Sequence, residues 1–260
     1  LVADLNQFLQ SLCGLARVDQ FSRKTDSGIL PTDENNLIYK AARLMMEKYR
    51  IEEGIRVHLQ KNIPIAAGMA GGSTDAAAML YAMNQLYDLG LSRRELMKRG
   101  VQIGADVPYC LMRGTALAEG IGEKLTQLPP MIKCPVLIAK PSISVSTKFV
   151  YQNLKLDEQT NHPDIDALMK DIREKDFDGV CAHMGNVLES VTIPNYPVIA
   201  EIKQQMMRSG AKASMMSGSG PTVFGLFEDG ETAKRALREM KRSGLAKQVY
   251  LTTIYNNRRK

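Results

Sequence analysis

Three short segments combine glycine with serine, threonine or aspartate, at residues 64–75, 104–108 and 217–222. The first follows an alternating run typical of a strand and precedes an apolar-periodic run typical of a helix. Its glycines at 68, 71 and 72 leave the backbone bare, and we expect Ser73 to cap the helix. Open amides at a helix N-terminus attract phosphate, so the segment predicts a phosphate-binding loop.

The spacing of this segment excludes two common nucleotide motifs. It lacks the Gly-Lys-Ser/Thr ending of a P-loop, and its glycines do not fall as G-x-G-x-x-G. The segment at 217–222 is a second glycine-serine loop beside a predicted strand, and two such loops suit a polyphosphate held by backbone amides. A glycine-rich turn packed tightly for steric reasons remains the alternative interpretation.

Asp106 is the candidate for acid–base chemistry. It lies in a short turn between Gly104 and Pro108, flanked by apolar residues. A carboxylate in such a rigid turn can take a proton from a substrate hydroxyl. The alternative is an aspartate that hydrogen-bonds its own turn.

Composition limits the class of protein. The formal charge of +6 is compatible with an anionic small substrate, nucleic acid or plain solubility, and the aromatic-basic interleaving typical of RNA binding does not occur. The four scattered cysteines and three separated histidines argue against a disulfide framework or a zinc site, and predict a reducing, cytoplasmic location. We expect neither a nucleic-acid partner nor a membrane partner.

The order of predicted elements favours an α+β protein of two domains, residues 1–140 and 141–260. A helix is expected after Thr32–Asn36, and Ser92 with Glu95 forms a capping box for another. Further strands are predicted at 114–119, 134–139, 213–217, 223–227 and 249–254, and further helices at 164–174, 177–189, 197–210 and 231–242.

The motifs together resemble the GHMP kinase superfamily, which comprises galacto-, homoserine, mevalonate and phosphomevalonate kinases. Residues 64–77 match its glycine-rich ATP loop, and residues 216–224 match its C-terminal glycine motif. The resemblance implies an N-terminal ATP-binding domain and a ferredoxin-like C-terminal domain. It also implies that the following residues bind ATP: Pro64, Ile65, Ala66, Ala67, Gly68, Met69, Ala70, Gly71, Gly72, Ser73 and Thr74.

Finer features resemble one branch of that superfamily, at residues 33–42, 104–108, 119–123 and 141–147. The resemblance implies phosphorylation of the 2-hydroxyl of a cytidylyl-methylerythritol by ATP with Mg²⁺, in non-mevalonate isoprenoid synthesis. Other implied roles are a catalytic Asp106, adenine contacts, a Tyr151 that stacks on cytosine, and substrate contacts. The adenine contacts are Asn36, Leu37 and Lys61, and the further substrate contacts are Gly218, Ser219 and Gly220. Metal ligands and oligomeric state are not predicted, and Tyr151 as an ordinary half-buried tyrosine stays open.

The resemblance is poorest before residue 30. Members of the family open with a strand A-K-[IL]-N-L, whose lysine is catalytic, followed by Asp-Gly-Tyr-His. In one register Asp4 stands at the lysine position of a similar segment, and in the alternative register residues 7–9 align with a later strand and the family's first strand is absent from this sequence. Asp-Gly-Tyr-His does not occur in either case. We therefore predict that these 260 residues bind ATP but phosphorylate poorly. Two alternatives remain, a related kinase acting on another alcohol and a non-catalytic nucleotide or metabolite sensor.

Overall fold

The computed structural model describes residues 12–18, 22–25, 34–157, 160 and 162–256, the first two ranges as backbone alone. The chain forms two compact units. Among the described residues, the N-terminal unit holds those up to 65 and residues 70–127. The C-terminal unit holds residues 66–69 and those from 128 onwards. The domain boundary expected at residue 140 stays a prediction.

The N-terminal unit packs four helices against short sheets. In the three-stranded sheet β3 is central, with β1 antiparallel and β2 parallel to it, and β4 pairs with β5 as a hairpin. The elements are β1 (Leu12–Val18), β2 (Ser22–Thr25), α1 (Leu37–Tyr49), β3 (Gly54–Leu59), α2 (Gly71–Leu86), α3 (Arg93–Gly100), α4 (Val107–Met112), β4 (Ala116–Glu119) and β5 (Lys124–Gln127).

Local sequence explains where these helices begin. Asn36 precedes α1 and its side chain accepts a hydrogen bond from the Ile38 amide at 2.9 Å, which confirms the predicted helix start. Ser92 and Glu95 form the predicted capping box of α3. Helix α2 is the centre of this unit, because residues 74–80 are all buried.

The C-terminal unit contains a four-stranded antiparallel sheet in the order β7-β8-β6-β9. Its strands are β6 (Pro135–Lys140), β7 (Ala213–Met216), β8 (Val223–Leu226) and β9 (Gln248–Thr253), and its helices are α5 (Thr147–Asn153), α6 (Ile165–Glu174), α7 (Phe177–His183), α8 (Glu189–Asn195), α9 (Val198–Arg208) and α10 (Gly230–Ser243). Helices separate β6 from β7, and α10 separates β8 from β9. This is the ferredoxin-like order, so the predicted α+β class is confirmed.

One predicted helix is wrong. The segment expected to be a helix over 177–189 is two helices, α7 and α8, separated by residues 184–188. The chain turns there because the Asn186 side-chain oxygen accepts a hydrogen bond from the Leu188 amide at 3.0 Å. Asparagine offers the backbone such an alternative to helical bonding.

Within the described part of the chain, none of the helices is both long enough and apolar enough to cross a membrane.

His183 and Asp171 join helices α7 and α6 through a hydrogen bond of 2.6 Å. This bond raises the pKa of His183 above its ordinary value of 6.5. The stabilisation of the folded state by the charged His183 is therefore fully present below the ordinary pKa of histidine. It is lost as pH rises through the raised pKa of His183 in the folded state. His183→Gln should lower the melting temperature at about pH 6 and change it little at about pH 9.

Thermal melts at the two pH values test this expectation. His162 is exposed, so His162→Gln serves as the control and should give the same small change at both. An effect of His183→Gln that does not depend on pH would contradict a role for the charged imidazole.

Candidate active site

The glycine-rich loop, residues 64–70, leads directly into helix α2, which begins at Gly71. Ala66 and Ala70 both have φ of 50°. This left-handed conformation costs an L-residue about 1–2 kcal/mol, and such strain concentrates at functional sites. Gly71 and Gly72 form the first turn, whose amides have no partner within the helix.

Ser73 does not cap α2, so that expectation is wrong. The helix begins three residues earlier than expected, with Ala70 at the N-cap position and no side-chain cap. Ser73 instead lies within the first turn, where its Oγ is 4.0 Å from a β-carbon built on Gly104. The first turn of α2 therefore adjoins the turn that carries Asp106.

Asp106 is exposed and occupies the N-cap position of α4, yet its side chain makes no capping hydrogen bond. Pro108 explains part of this, because it removes one of the two amides that a cap usually binds. At the starts of three other helices, the side chains of Asp164, Asp176 and Asp229 all accept such bonds. The alternative of an aspartate bonded to its own turn therefore fails, and the carboxylate is available to a ligand.

Neighbouring elements of the N-terminal unit fix the position of this turn. The side chains of Thr74 in α2 and Cys110 in α4 are in contact at 3.5 Å. On the other side, a β-carbon on Gly122 would lie 3.6 Å from the carbonyl oxygen of Ala105. The hairpin between β4 and β5 thus packs against the residue before Asp106. Residues of the first turn of α2, of the turn at 104–108 and of the hairpin at 119–123 come together here within the N-terminal unit.

Lys61 and Asp75 form a buried ion pair, with side chains 5% and 6% exposed. Burial raises the pKa of Asp75, and the Lys61 ammonium opposes that rise. The Lys61 nitrogen lies 3.1 Å from a β-carbon built on Gly71, so a cation stands at the start of α2. The family resemblance predicts Lys61 as an adenine contact but does not predict its pairing with Asp75. The only local signal of Asp75 is a carboxylate on a mostly apolar helix face.

Asp75→Asn should lower the free energy of unfolding by about 3–5 kcal/mol, because Lys61 then keeps a buried charge without this counter-ion. Urea unfolding measures this loss. Glu47→Gln is the matched control, since Glu47 and Arg43 form an ion pair that is 63% and 60% exposed and should contribute little. Equal losses in the two variants would contradict the importance of burial.

Gly68 and the serine–glycine loop, residues 217–220, meet within the C-terminal unit. The Ser217 hydroxyl donates a hydrogen bond of 2.7 Å to the Gly68 carbonyl. A β-carbon on Gly68 would lie 2.2 Å from the Ser217 carbonyl oxygen, closer than any real contact. The hydroxyls of Ser219 and Thr147 share a hydrogen bond of 2.9 Å. Two glycine motifs of the sequence are thus in direct contact.

The remaining predicted site residues are spread over the two units. Leu37 lies beside the first turn of α2, 3.4 Å from a β-carbon on Gly72, and Asn36 caps α1. Tyr151 lies on α5 with 61% of its surface exposed, so it is not the half-buried tyrosine of the alternative interpretation. The binding roles expected of these residues stay predictions. Asp4 lies outside the described residues, and so does the prediction of poor phosphorylation that rests on it.

Among the described residues, no group of three or more His, Cys, Asp or Glu side chains is arranged to hold a metal ion. The described cysteines, Cys110, Cys134 and Cys181, are free. Burial raises the pKa of the Cys110 thiol to about 11, which leaves it protonated and unreactive near neutral pH.

The amino-acid sequence of this chain is similar to that of known kinases. Residues 36–114 match the GHMP kinases N terminal domain, and residues 168–246 match the GHMP kinases C terminal domain. A 4-diphosphocytidyl-2-C-methyl-D-erythritol kinase of Lachnospira eligens is 58% identical over 89% of this chain and 81% of its own length. One from Lachnoclostridium phytofermentans is 52% identical over 90% of this chain and 81% of its own length.

Solved structures show the same fold. A crystal structure of 4-(cytidine 5'-diphospho)-2C-methyl-D-erythritol kinase has a TM-score of 0.77 at 29% identity, over 92% of this chain and 84% of that one. Homoserine kinase from Cytophaga hutchinsonii has a TM-score of 0.81 at 23% identity, over 94% and 85% of the two chains, and shares the fold alone. The chain therefore belongs to the GHMP kinases and, within them, to the 4-diphosphocytidyl-2-C-methyl-D-erythritol kinases.

Proposed function

We propose that this chain transfers the γ-phosphoryl group of ATP to the 2-hydroxyl of 4-diphosphocytidyl-2-C-methyl-D-erythritol. The relatives named above support the substrate. One feature above all supports the reaction class, the exposed carboxylate of Asp106. This side chain makes no capping hydrogen bond, and its turn lies next to the first turn of α2. An alcohol acceptor needs such a proton acceptor, and a transferred phosphoryl group needs nearby amides.

In the proposed mechanism the oxygen of the substrate 2-hydroxyl attacks the γ-phosphorus while Asp106 accepts the proton of that hydroxyl. The new P–O bond forms while the bond to the β,γ-bridging oxygen breaks, and ADP leaves. The open amides of α2 stabilise phosphate charge, as a helix N-terminus does. Most of the catalysis in such a transfer comes from positioning and charge stabilisation.

We propose that Mg²⁺ enters with ATP. Mg²⁺ is commonly held by one or two protein groups together with substrate phosphates and water. The ion would neutralise phosphate charge, and its protein ligands are left unassigned.

Tyr151 is proposed to stack on the cytosine ring of the substrate. Tyr151→Ala should weaken substrate binding by about 1–3 kcal/mol, the range for base–aromatic stacking. Tyr151→Phe keeps the ring and should be nearly silent. Calorimetric titration with the cytidylyl substrate measures both. Tyr250, an exposed tyrosine on β9, provides the control Tyr250→Ala. Equal damage from alanine and phenylalanine at Tyr151 would point to the hydroxyl rather than to stacking.

The proposed substrate is tested by comparing kcat/KM for the cytidylyl alcohol, homoserine, mevalonate and phosphomevalonate with ATP as donor. We expect the cytidylyl alcohol to be preferred by at least about 10³-fold, because a site that binds a base loses that interaction with the other alcohols. Preference for another alcohol would indicate a related kinase. ATP binding without transfer to any of them would indicate the sensor alternative. The cytoplasmic location stays a prediction.

A further inference from the structure

The serine–glycine loop accepts hydrogen bonds from Asn186, a residue outside both glycine motifs. Asn186 lies in the turn between α7 and α8, 30 residues from Met216 in sequence. Its Nδ2 donates hydrogen bonds of 2.8 Å to the carbonyl oxygens of Met216 and Gly218. One side-chain amide thus bonds the backbone on both sides of Ser217.

The orientation of the Asn186 amide is fixed by its own turn. Its Oδ1 accepts a hydrogen bond of 3.0 Å from the Leu188 amide. The oxygen is thereby committed to the turn, and both N–H donors are directed at the loop carbonyls. Each hydrogen-bonding group of the side chain has a partner, so the side chain sets the distance between its turn and the loop.

The following helix contributes two more contacts to the same loop. Glu189, paired with Lys203, accepts a hydrogen bond of 2.8 Å from the Met216 amide. Thr192 is fully buried and its hydroxyl lies 3.4 Å from the Ser219 carbonyl oxygen. Glu189 therefore holds Met216, the residue before the loop, and Thr192 contacts Ser219, while Asn186 bonds Met216 and Gly218.

The serine–glycine loop also contacts the glycine-rich loop through Ser217 and Gly68. The Ser217 hydroxyl donates to the Gly68 carbonyl, and Gly68 has no room for a side chain against Ser217. Any shift of Ser217 must therefore displace Gly68. The two carbonyls that Asn186 binds belong to the residues immediately before and after Ser217.

We propose that Asn186 is a positioning residue for nucleotide binding. It acts through Ser217 on Gly68 of the glycine-rich loop, without contacting the nucleotide itself. This inference rests on the proposed kinase function, in which that loop binds the triphosphate.

Asn186→Asp tests the inference with an almost isosteric change. The aspartate keeps the oxygen that accepts from Leu188 but replaces both donors with an oxygen that repels the two carbonyls. Asn84→Asp is the matched control. Asn84 accepts from the Leu91 amide and donates to the Leu91 carbonyl at 2.9 and 3.0 Å, so the same change costs a comparable structural bond away from the loop.

The measurements are the dissociation constant of ATP by calorimetry, the KM for ATP, kcat and the melting temperature. We expect Asn186→Asp to raise both ATP constants by about tenfold or more, as two lost hydrogen bonds would. Asn84→Asp should lower the melting temperature and leave both ATP constants within about twofold. A smaller folded fraction lowers kcat alone, so KM separates positioning from stability.

An Asn186→Asp protein that melts like Asn84→Asp and binds ATP like wild type overturns the inference. If Asn186→Asp does not fold, Asn186→Ala is measured in the same way. Weakened ATP binding in that variant then supports the inference, and ATP binding like wild type overturns it. Calorimetry measures ATP binding without turnover. A failure of the proposed kinase function can therefore be distinguished from a failure of the positioning role of Asn186. A wild-type protein without kinase activity would refute the function, whereas unchanged ATP binding in the variant would refute the positioning role.

Discussion

Replacing Asp106 with asparagine should lower kcat by about 10²–10⁴-fold, the contribution typical of a general base. The asparagine side chain has the same shape but cannot accept the hydroxyl proton. ATP affinity and melting temperature should barely change, because the Asp106 side chain makes no capping hydrogen bond that the fold would lose. Steady-state kinetics with saturating substrates measures the loss.

Asp164→Asn is the control for Asp106→Asn. Asp164 also stands at a helix N-cap, and asparagine caps helices about as well as aspartate. This variant should keep normal kcat and a normal melting temperature. Near-normal kcat in Asp106→Asn would remove the residue from the proposed mechanism, whatever the control shows.

Gly68→Ala should weaken ATP binding by about tenfold or more, since crowding at a packed contact typically costs about 1–3 kcal/mol and each 1.4 kcal/mol corresponds to about tenfold in affinity. Its β-carbon would fall 2.2 Å from the Ser217 carbonyl oxygen, and φ of +67° disfavours any side chain. One of the two glycine motifs must then move. Calorimetric titration with ATP measures the effect directly.

The control for Gly68→Ala separates backbone strain from crowding. Gly244 has φ of +71° and no atom within 4 Å of its would-be β-carbon, so Gly244→Ala carries the strain alone. It should lower the melting temperature and leave ATP affinity unchanged. If Gly68→Ala also bound ATP normally, the close contact between the two glycine motifs would have no role in nucleotide binding.

Local patterns predicted much of the fold. Asn36 and Ser92 mark helix starts through bonds to amides two or three residues away, so their effect is visible in a short window of sequence. Ser73 looks like the same signal and is not. The left-handed Ala70 starts α2 earlier, and Thr74 and the residues after it are buried in the core. Tertiary packing decided that boundary, which propensity alone does not capture.

The chemistry of the site divides in the same way. Asp106 and the glycine-rich loop are recognisable because each lies in a contiguous motif. Asp75 and Asn186 act on partners 14 and 30 residues away, Lys61 and Met216, and only the folded chain brings them together. An aspartate just before three alanines and an asparagine inside a segment predicted to be a single helix, 177–189, carry no local sign of their partners.

A single-turnover experiment tests phosphoryl transfer to the 2-hydroxyl directly. The chain is used in excess over 4-diphosphocytidyl-2-C-methyl-D-erythritol, with ATP and Mg²⁺, and the reaction is followed by ³¹P NMR. Excess protein reveals transfer even when turnover is slow, as expected if Asp4 stands in place of a catalytic lysine. We expect one new phosphomonoester, whose phosphorus is coupled to the carbon that bears the 2-hydroxyl, and an equal amount of ADP. Bound ATP that stays intact, or a phosphate on any other oxygen, would contradict this expectation.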